Sequence, residues 1–261
     1  AIAGALGWVR ANALDEAVRP RFERLVERVF RPRLDALGWD LRAADSSDDR
    51  EDRTTTLGML GRVARAADVR AEARRRIDAH LDGTTVLAPD ALAALVGVAA
   101  SDGDAALWER YDARRRAQEA TDAQDEARFR YALCEFGSAA LAERTARLIF
   151  TDSVRAQDRG LMLIRLLAAP EARAAGWAVL KDRWDAFVPT MEAGIKQNLM
   201  AALSQLTEAE LARQAIALLG EKATSDMREM AAQTIERLRL ASATAQQVRG
   251  ELPGALDAIG A

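Results

Sequence analysis

Residues able to break a bond are scarce in this chain. It holds one histidine, His80, and one cysteine, Cys134. A zinc peptidase needs two histidines four residues apart on one helix face, with a glutamate nearby as base. One histidine and one cysteine cannot build such a site, so the reading assigns no metal and no catalytic residue to this chain. A nucleophilic thiol would need an imidazole partner. Cys134 instead lies in the apolar stretch 131–136 and reads as a buried structural thiol. His80 stands near a helix end beside Asp82-Gly83, where its ring is expected to cap carbonyls. No G-x-S-x-G elbow and no glycine-rich phosphate loop occurs. Gly58 and Gly61 fall inside an apolar helical pattern and read as points of close helix packing. The 40 acidic residues are spread over helical faces and read as solvated. An enzyme working with carboxylates alone would need two close, perturbed acids in a deep cavity.

One polar segment stands apart: Ser153-Val154-Arg155-Ala156-Gln157-Asp158-Arg159, directly before the apolar stretch 161–168. Asp158 reads as the N-cap of that helix, with a surface salt bridge beside it. The functional alternative is a polar cluster of Arg155, Gln157 and Asp158 at the mouth of a cavity, where an arginine would grip a carboxylate through two parallel hydrogen bonds.

The elements that must position this segment are all helical. Phe22, Leu25, Val26, Val29 and Phe30 recur at i, i+3, i+4, i+7 and i+8, which is one apolar stripe of a helix. Pro32 should kink or restart that helix, and Gly38 should end it. The polar stretch 45–52 is expected to be a loop before a helix carrying Leu57, Leu60, Val63 and Ala64. A helix over 69–81 stops at Asp82-Gly83, and Pro89 sits at the first position of the next, before Leu92, Leu95, Val96 and Ala99. After the turn at Asp102-Gly103, Leu107, Trp108 and Tyr111 open another. Thr121 to Gln124 and Thr207 to Glu210 read as capping boxes, with Gly220 as the stop for the second. Arg173, Trp177, Leu180 and Trp184 share one face after Pro170. The helical spacing of Trp108, Trp177 and Trp184 favours core positions over a ligand cage. Val, Ile and Thr never alternate long enough for a strand. About a dozen helices with short connections predict an all-α fold, an α-α superhelix or solenoid of antiparallel helix pairs of the HEAT/armadillo kind.

Composition bounds the function. The 261 residues carry 37 Lys and Arg against 40 Asp and Glu, a net charge of -3. That balance gives no case for nucleic acid or an anionic membrane as partner. No apolar run approaches the ~20 residues of a membrane span. A lone cysteine cannot form an intrachain disulfide, which points to a reducing compartment, the cytoplasm. The chain starts at Ala1 without Met, as a processed start or an excised fragment would.

Several segments together resemble one family. They are Leu37-Gly38-Trp39-Asp40 with the acidic stretch and the Leu57 helix behind it, then Leu87-Ala88-Pro89-Asp90 with Gly103-Asp104, Leu107-Trp108 and Tyr111. Val154-Arg155-Ala156-Gln157-Asp158 follows, and then Pro170-Glu171-Ala172-Arg173-Ala174-Ala175-Gly176-Trp177 with Trp184. In this order they resemble the C-terminal helical domain of the gluzincin aminopeptidases, over residues 20–245. The resemblance implies a bowl of stacked helices, a single domain over 1–261 with residues 1–18 a truncated first helix. It further implies that the bowl closes over a separate thermolysin-like domain and encloses the peptide substrate, while the parent enzyme removes N-terminal amino acids. The family's H-E-x-x-H helix, distal glutamate and G-x-M-E-N loop do not occur here, so zinc would belong to the parent's catalytic domain. Arg155, Gln157 and Asp158 would then lie near the substrate cavity. The rival is a free-standing helical-repeat scaffold for a protein or peptide. A scaffold should begin with a polar capping repeat, whereas Ile2, Leu6, Trp8 and Val9 make an apolar start that favours excision.

Overall fold

A computed structural model describes residues 1–225 and 227–260. Among the described residues there are thirteen α-helices and no strand. The all-α expectation holds. The chain divides into two compact units, one of residues 1–10, 14–136 and 251–261, the other of residues 11–13 and 137–250.

The first unit contains residues 2–10 of α1 (Ile2–Asn12), α2 (Arg19–Leu37), α3 (Ser47–Gly58), a π-helical turn (Met59–Val63), α4 (Ala67–Leu81), α5 (Pro89–Ser101), α6 (Ala105–Gln118) and α7 (Ala123–Ala132). α2 packs on α3 and on the π turn, α3 and α4 on α5, and α6 on α7. The stripes read from the sequence supply the contact surface. Phe22, Val26, Leu57, Leu60, Ile77, Leu95, Trp108 and Tyr111 are all buried, whereas Val29 of the first stripe is exposed. Tyr111 joins packing to hydrogen bonding. Its ring meets Phe129 edge-on at 5.0 Å and its hydroxyl donates to the Val96 carbonyl at 2.9 Å.

The second unit contains α8 (Ala139–Leu148), α9 (Ala156–Ala168), α10 (Arg173–Phe187), α11 (Ala193–Leu203) and α12 (Ala209–Lys222), with residues 228–250 of α13 (Arg228–Ala258). α8 packs on α9 and α10, α9 on α10 and α11, and α10 on α12. Trp177 and Trp184 are in this core, as their spacing predicts. The Trp177 indole N–H donates to Gln214 Oε1 at 2.9 Å, tying α10 to α12.

Several local expectations are corrected. α2 continues through Pro32 as one helix. Pro32 and Arg28 are both exposed, so the carbonyl that loses its donor lies on the solvent side. Residues 45–52 are not all loop. Ser46 caps α3, accepting from the Asp49 N–H at 3.1 Å, while Asp49 accepts from the Ser46 N–H at 3.1 Å. At 121–124 the cap is Asp122, which accepts from Gln124 and Asp125 at 3.1 and 3.0 Å, and the Thr121 hydroxyl turns back to Gln118. Thr207 caps nothing, because its hydroxyl donates to Asn12 Oδ1 at 3.1 Å. Gly220 lies inside α12, which runs on to Lys222.

The two glycines singled out for close packing differ. A Cβ on Gly61 would stand 2.3 Å from Val98 Cγ1 of α5, whereas one on Gly58 meets nothing within 4 Å. Gly61 lies within the π turn. The Ala64 N–H donates to the Met59 carbonyl, five residues back, and Arg65 leaves the turn at φ 55°. The widened turn frees the Gly61 carbonyl, which accepts from Arg70 Nε at 2.7 Å. In the second unit Arg173, fully buried, donates to the Leu167 and Ala11 carbonyls at 3.0 and 3.2 Å and to Glu208 at 2.9 Å.

Two expectations follow for stability. Gly61→Ala destabilises by about 1–3 kcal/mol, because Val98 is stiff at χ1 and must move. Gly58→Ala is neutral or stabilises by up to about 1 kcal/mol through helix propensity. Urea unfolding of both variants checks the contrast, and equal effects would refute the packing assignment. Arg173→Met orphans the buried Leu167 carbonyl and the part-buried Ala11 carbonyl and lowers stability by about 2–4 kcal/mol, with Arg173→Lys recovering only part because one ammonium cannot span the three partners. A denaturation midpoint for Arg173→Met equal to that of the unmodified chain would refute this.

Candidate functional site

The polar segment before α9 is built by a short run of local bonds. Thr151 donates its hydroxyl to the Leu148 carbonyl at 2.8 Å, ending α8, and Val154 is buried beneath the turn. Arg155 occupies the N-cap position of α9 without a side-chain cap bond. Asp158 is therefore not the N-cap. It lies in the first turn, buried, and accepts from Arg155 Nε at 2.8 Å. A carboxylate there is favoured by the positive end of the helix dipole, and the pair shields it from the core. Arg159 folds backwards, donating to the Val154 and Thr151 carbonyls at 3.3 and 3.2 Å.

Beside this turn lies a groove of about 560 Å³. α9 contributes Gln157, Arg159 and Gly160 to it, and α10 contributes Arg183 and Phe187. Gly160 brings the two sides together. A Cβ there would stand 2.5 Å from Ile195 Cγ2 and 2.9 Å from Met191 Cε. Phe150 and Phe187 meet edge to face at 5.0 Å and 87°. The Arg183 guanidinium sits 5.7 Å above the Phe150 ring while its Nε faces Asp182 at 3.2 Å.

The three residues singled out from sequence are thus separated. Gln157 lines the groove, whereas Arg155 and Asp158 are absent from its lining and bind each other. The aromatic floor and Arg183 escaped the sequence reading. Their signal was the i, i+4, i+8 recurrence of Arg183, Phe187 and Met191, which resembles any amphipathic stripe until Phe150 closes it from the turn after α8. Glu192 is the single carboxylate of the lining, and neither His nor Cys contributes. The groove therefore offers an apolar floor with a guanidinium and amide rim, which suits binding and supplies no acid–base pair.

Neither of the remaining chemistry-bearing residues lines this groove. Cys134 is buried. His80 does not cap carbonyls as expected, because its Nδ1 accepts from the Leu87 N–H at 3.3 Å. Among the described residues no group of three or more His, Cys, Asp or Glu could hold a metal ion. A zinc ion finds no fitting donor set in them. No helix among them is long and apolar enough to cross a membrane.

Comparison with known proteins agrees with the resemblance read from the motifs. The chain is 23% identical over 236 residues to Aminopeptidase M1-D of Oryza sativa subsp. japonica, a match covering 88% of this chain and 26% of that protein. It spans about a quarter of the length of that curated relative. The family model described as the ERAP1-like C-terminal domain matches residues 1–240. With nearly the whole chain matched, this protein belongs to the ERAP1-like C-terminal domain family.

Proposed function

We propose that this chain serves a zinc aminopeptidase as the helical domain that covers the active site and encloses the peptide, while a separate catalytic domain breaks the bond. The observation that carries the reading is the family match over residues 1–240 in a chain whose described residues hold no metal-binding group. A chamber closed by such a domain would exclude water and admit an extended peptide. Movement of the domain against its catalytic partner would gate entry and release. Zinc, the peptide substrate and the catalytic domain are the partners this reading requires. A reducing compartment, the cytoplasm, is part of it and rests on the lone buried thiol of Cys134.

Within this reading the groove beside α9 is the surface that meets peptide. Gln157 and Arg183 offer donors to a peptide backbone, and Phe150 and Phe187 offer a floor for an apolar side chain. Arg155 and Asp158 act at one remove, holding the first turn that carries Gln157.

The isolated chain is expected to show no hydrolysis of an aminoacyl anilide, with or without added zinc. The reading frame upstream of Ala1 is expected to encode an H-E-x-x-H helix. Zinc-dependent turnover by the pure chain, or an upstream frame without that helix, would overturn the proposal. In the intact parent, Gln157→Ala and Arg183→Ala should each raise KM for a peptide by about 3- to 10-fold while kcat stays within about twofold. Steady-state kinetics on peptides and on a single-residue anilide separate the outcomes, since the anilide is too short to reach the groove and should be unaffected.

A further inference from the structure

The connection from α4 to α5 is held in two different ways. Its first half is tied to a carbonyl that cannot titrate. The Thr84 and Thr85 N–H groups donate to the Ala79 carbonyl at 3.0 and 3.2 Å, and the Thr84 hydroxyl adds a third bond at 3.0 Å. Its second half is tied to an imidazole. The Leu87 N–H donates to His80 Nδ1 at 3.3 Å. Accepting at Nδ1 requires the neutral tautomer that carries its proton on Nε2. That Nε2 is buried and has no partner among the described residues.

We propose that His80 is a pH-sensitive latch on the segment 83–88, closed while its imidazole is neutral and opened by protonation. A proton on Nδ1 would point at the Leu87 N–H, turning an acceptor into a second donor. No side-chain donor or acceptor of the segment could replace the bond on the Leu87 side, because residues 86–88 are Val, Leu and Ala. The segment lines a groove of about 380 Å³ through Thr85, Val86, Leu87 and Ala88, together with Asp40 and Arg76. It also carries Val86, 87% exposed. Opening the latch would therefore change both the groove and the presentation of that valine.

The charged surroundings favour the closed form near neutrality. Burial lowers the His80 pKa from its ordinary 6.5, and Arg114 of α6 lowers it further. Asp125 of α7 and the Thr85 backbone pull it upward. Asp125 is itself engaged by Arg114 at 2.8 Å, which blunts its pull. Asp78 and Asp82, on either side of His80 at the end of α4, are both engaged by Arg110 of α6. From α5 the sole charged residue is Asp90, 3.6 Å from Arg50, and from the π turn it is Arg62, paired with Glu135. A histidine whose folded pKa is depressed adds stability above its unfolded value and loses it as pH falls. The latch is thus closed above about pH 6.5 and opens progressively below it.

Because His80 is the chain's only histidine, its ring signals in a proton–carbon NMR titration need no deconvolution. The expected result is a midpoint below 6.5, a Leu87 amide shift that titrates with the same midpoint, and a fall of about tenfold or more in the Leu87 protection factor as pH drops through that midpoint. Thr84 and Thr85 protection should stay constant, which separates unlatching from general acid unfolding. His80→Phe should leave Leu87 unprotected at both pH values, and His80→Asn should abolish its pH dependence. A His80 midpoint at or above 6.5, or a Leu87 amide that ignores the His80 titration, would overturn the latch in the unmodified chain whatever the variants do.

Discussion

The end of a helix leaves its last carbonyls without intrahelical donors, and burying them unpaired is costly. In this protein an arginine from a following helix meets that need repeatedly. Arg53 of α3 donates to the Leu37 and Gly38 carbonyls that end α2, both at 3.1 Å. Arg70 of α4 serves the carbonyl of Gly61 in the π turn. Arg173 of α10 serves Leu167 at the end of α9, whereas Arg110 of α6 only adds at 3.3 Å to the Asp82 N–H already on the Asp78 carbonyl. The guanidinium suits this role because it carries its charge to the negative end of the helix dipole and has donors to spare for a carboxylate. Arg53 also donates to Asp45 at 2.7 Å and Arg173 to Glu208 at 2.9 Å. An arginine-rich composition with few lysines is thus partly an interior feature.

These clamps work because each helix packs on near neighbours in sequence. An apolar stripe can be covered only by an element the chain can bring to it, and short connections restrict the choice to the next helix or the one after. In the first unit α3 reaches α5, and in the second α9 reaches α11 and α10 reaches α12. Close approach is then decided by small residues at crossing points. Gly61 admits Val98 in the first unit, and Gly176 admits Leu166 in the second, where a Cβ would stand 2.9 Å from the leucine Cβ.

Signals confined to one turn of chain were legible in the sequence. Pro89 opens α5, Gly38 ends α2 at φ 67°, and the stripes through Leu57, Trp108 and Trp177 are buried. Signals settled by competition between neighbours were not. Thr121 and Asp122 are both cap residues, and the aspartate wins because its carboxylate takes two N–H groups at once. Ser46 caps α3 although the acidic run around it has the composition of a loop, since Asp49 can return a bond to it. What depends on distant chain was out of reach. Thr207 is diverted by Asn12, 195 residues away in sequence. The groove beside α9 escaped for the same reason, because Phe150 comes from the turn after α8 and Phe187 from α10.

The polar segment before α9 shows how commitment within the fold limits what a site can do. A buried carboxylate already bonded to an arginine cannot be recruited by a ligand without breaking that pair, which would leave a charge in a poor environment. Asp158 is in that position. Arg159 has also turned donors toward the Val154 and Thr151 carbonyls. What remains for an occupant of the groove is the amide of Gln157, the guanidinium of Arg183 and the apolar surface of Phe150, Phe187, Met191 and Ile195. Burial of apolar area is non-directional and roughly proportional to area, whereas Arg183 and the other rim groups are partly exposed and contribute little each in water. Affinity in such a groove must come chiefly from the bulk of the occupant's side chain, and the few rim donors can only orient it.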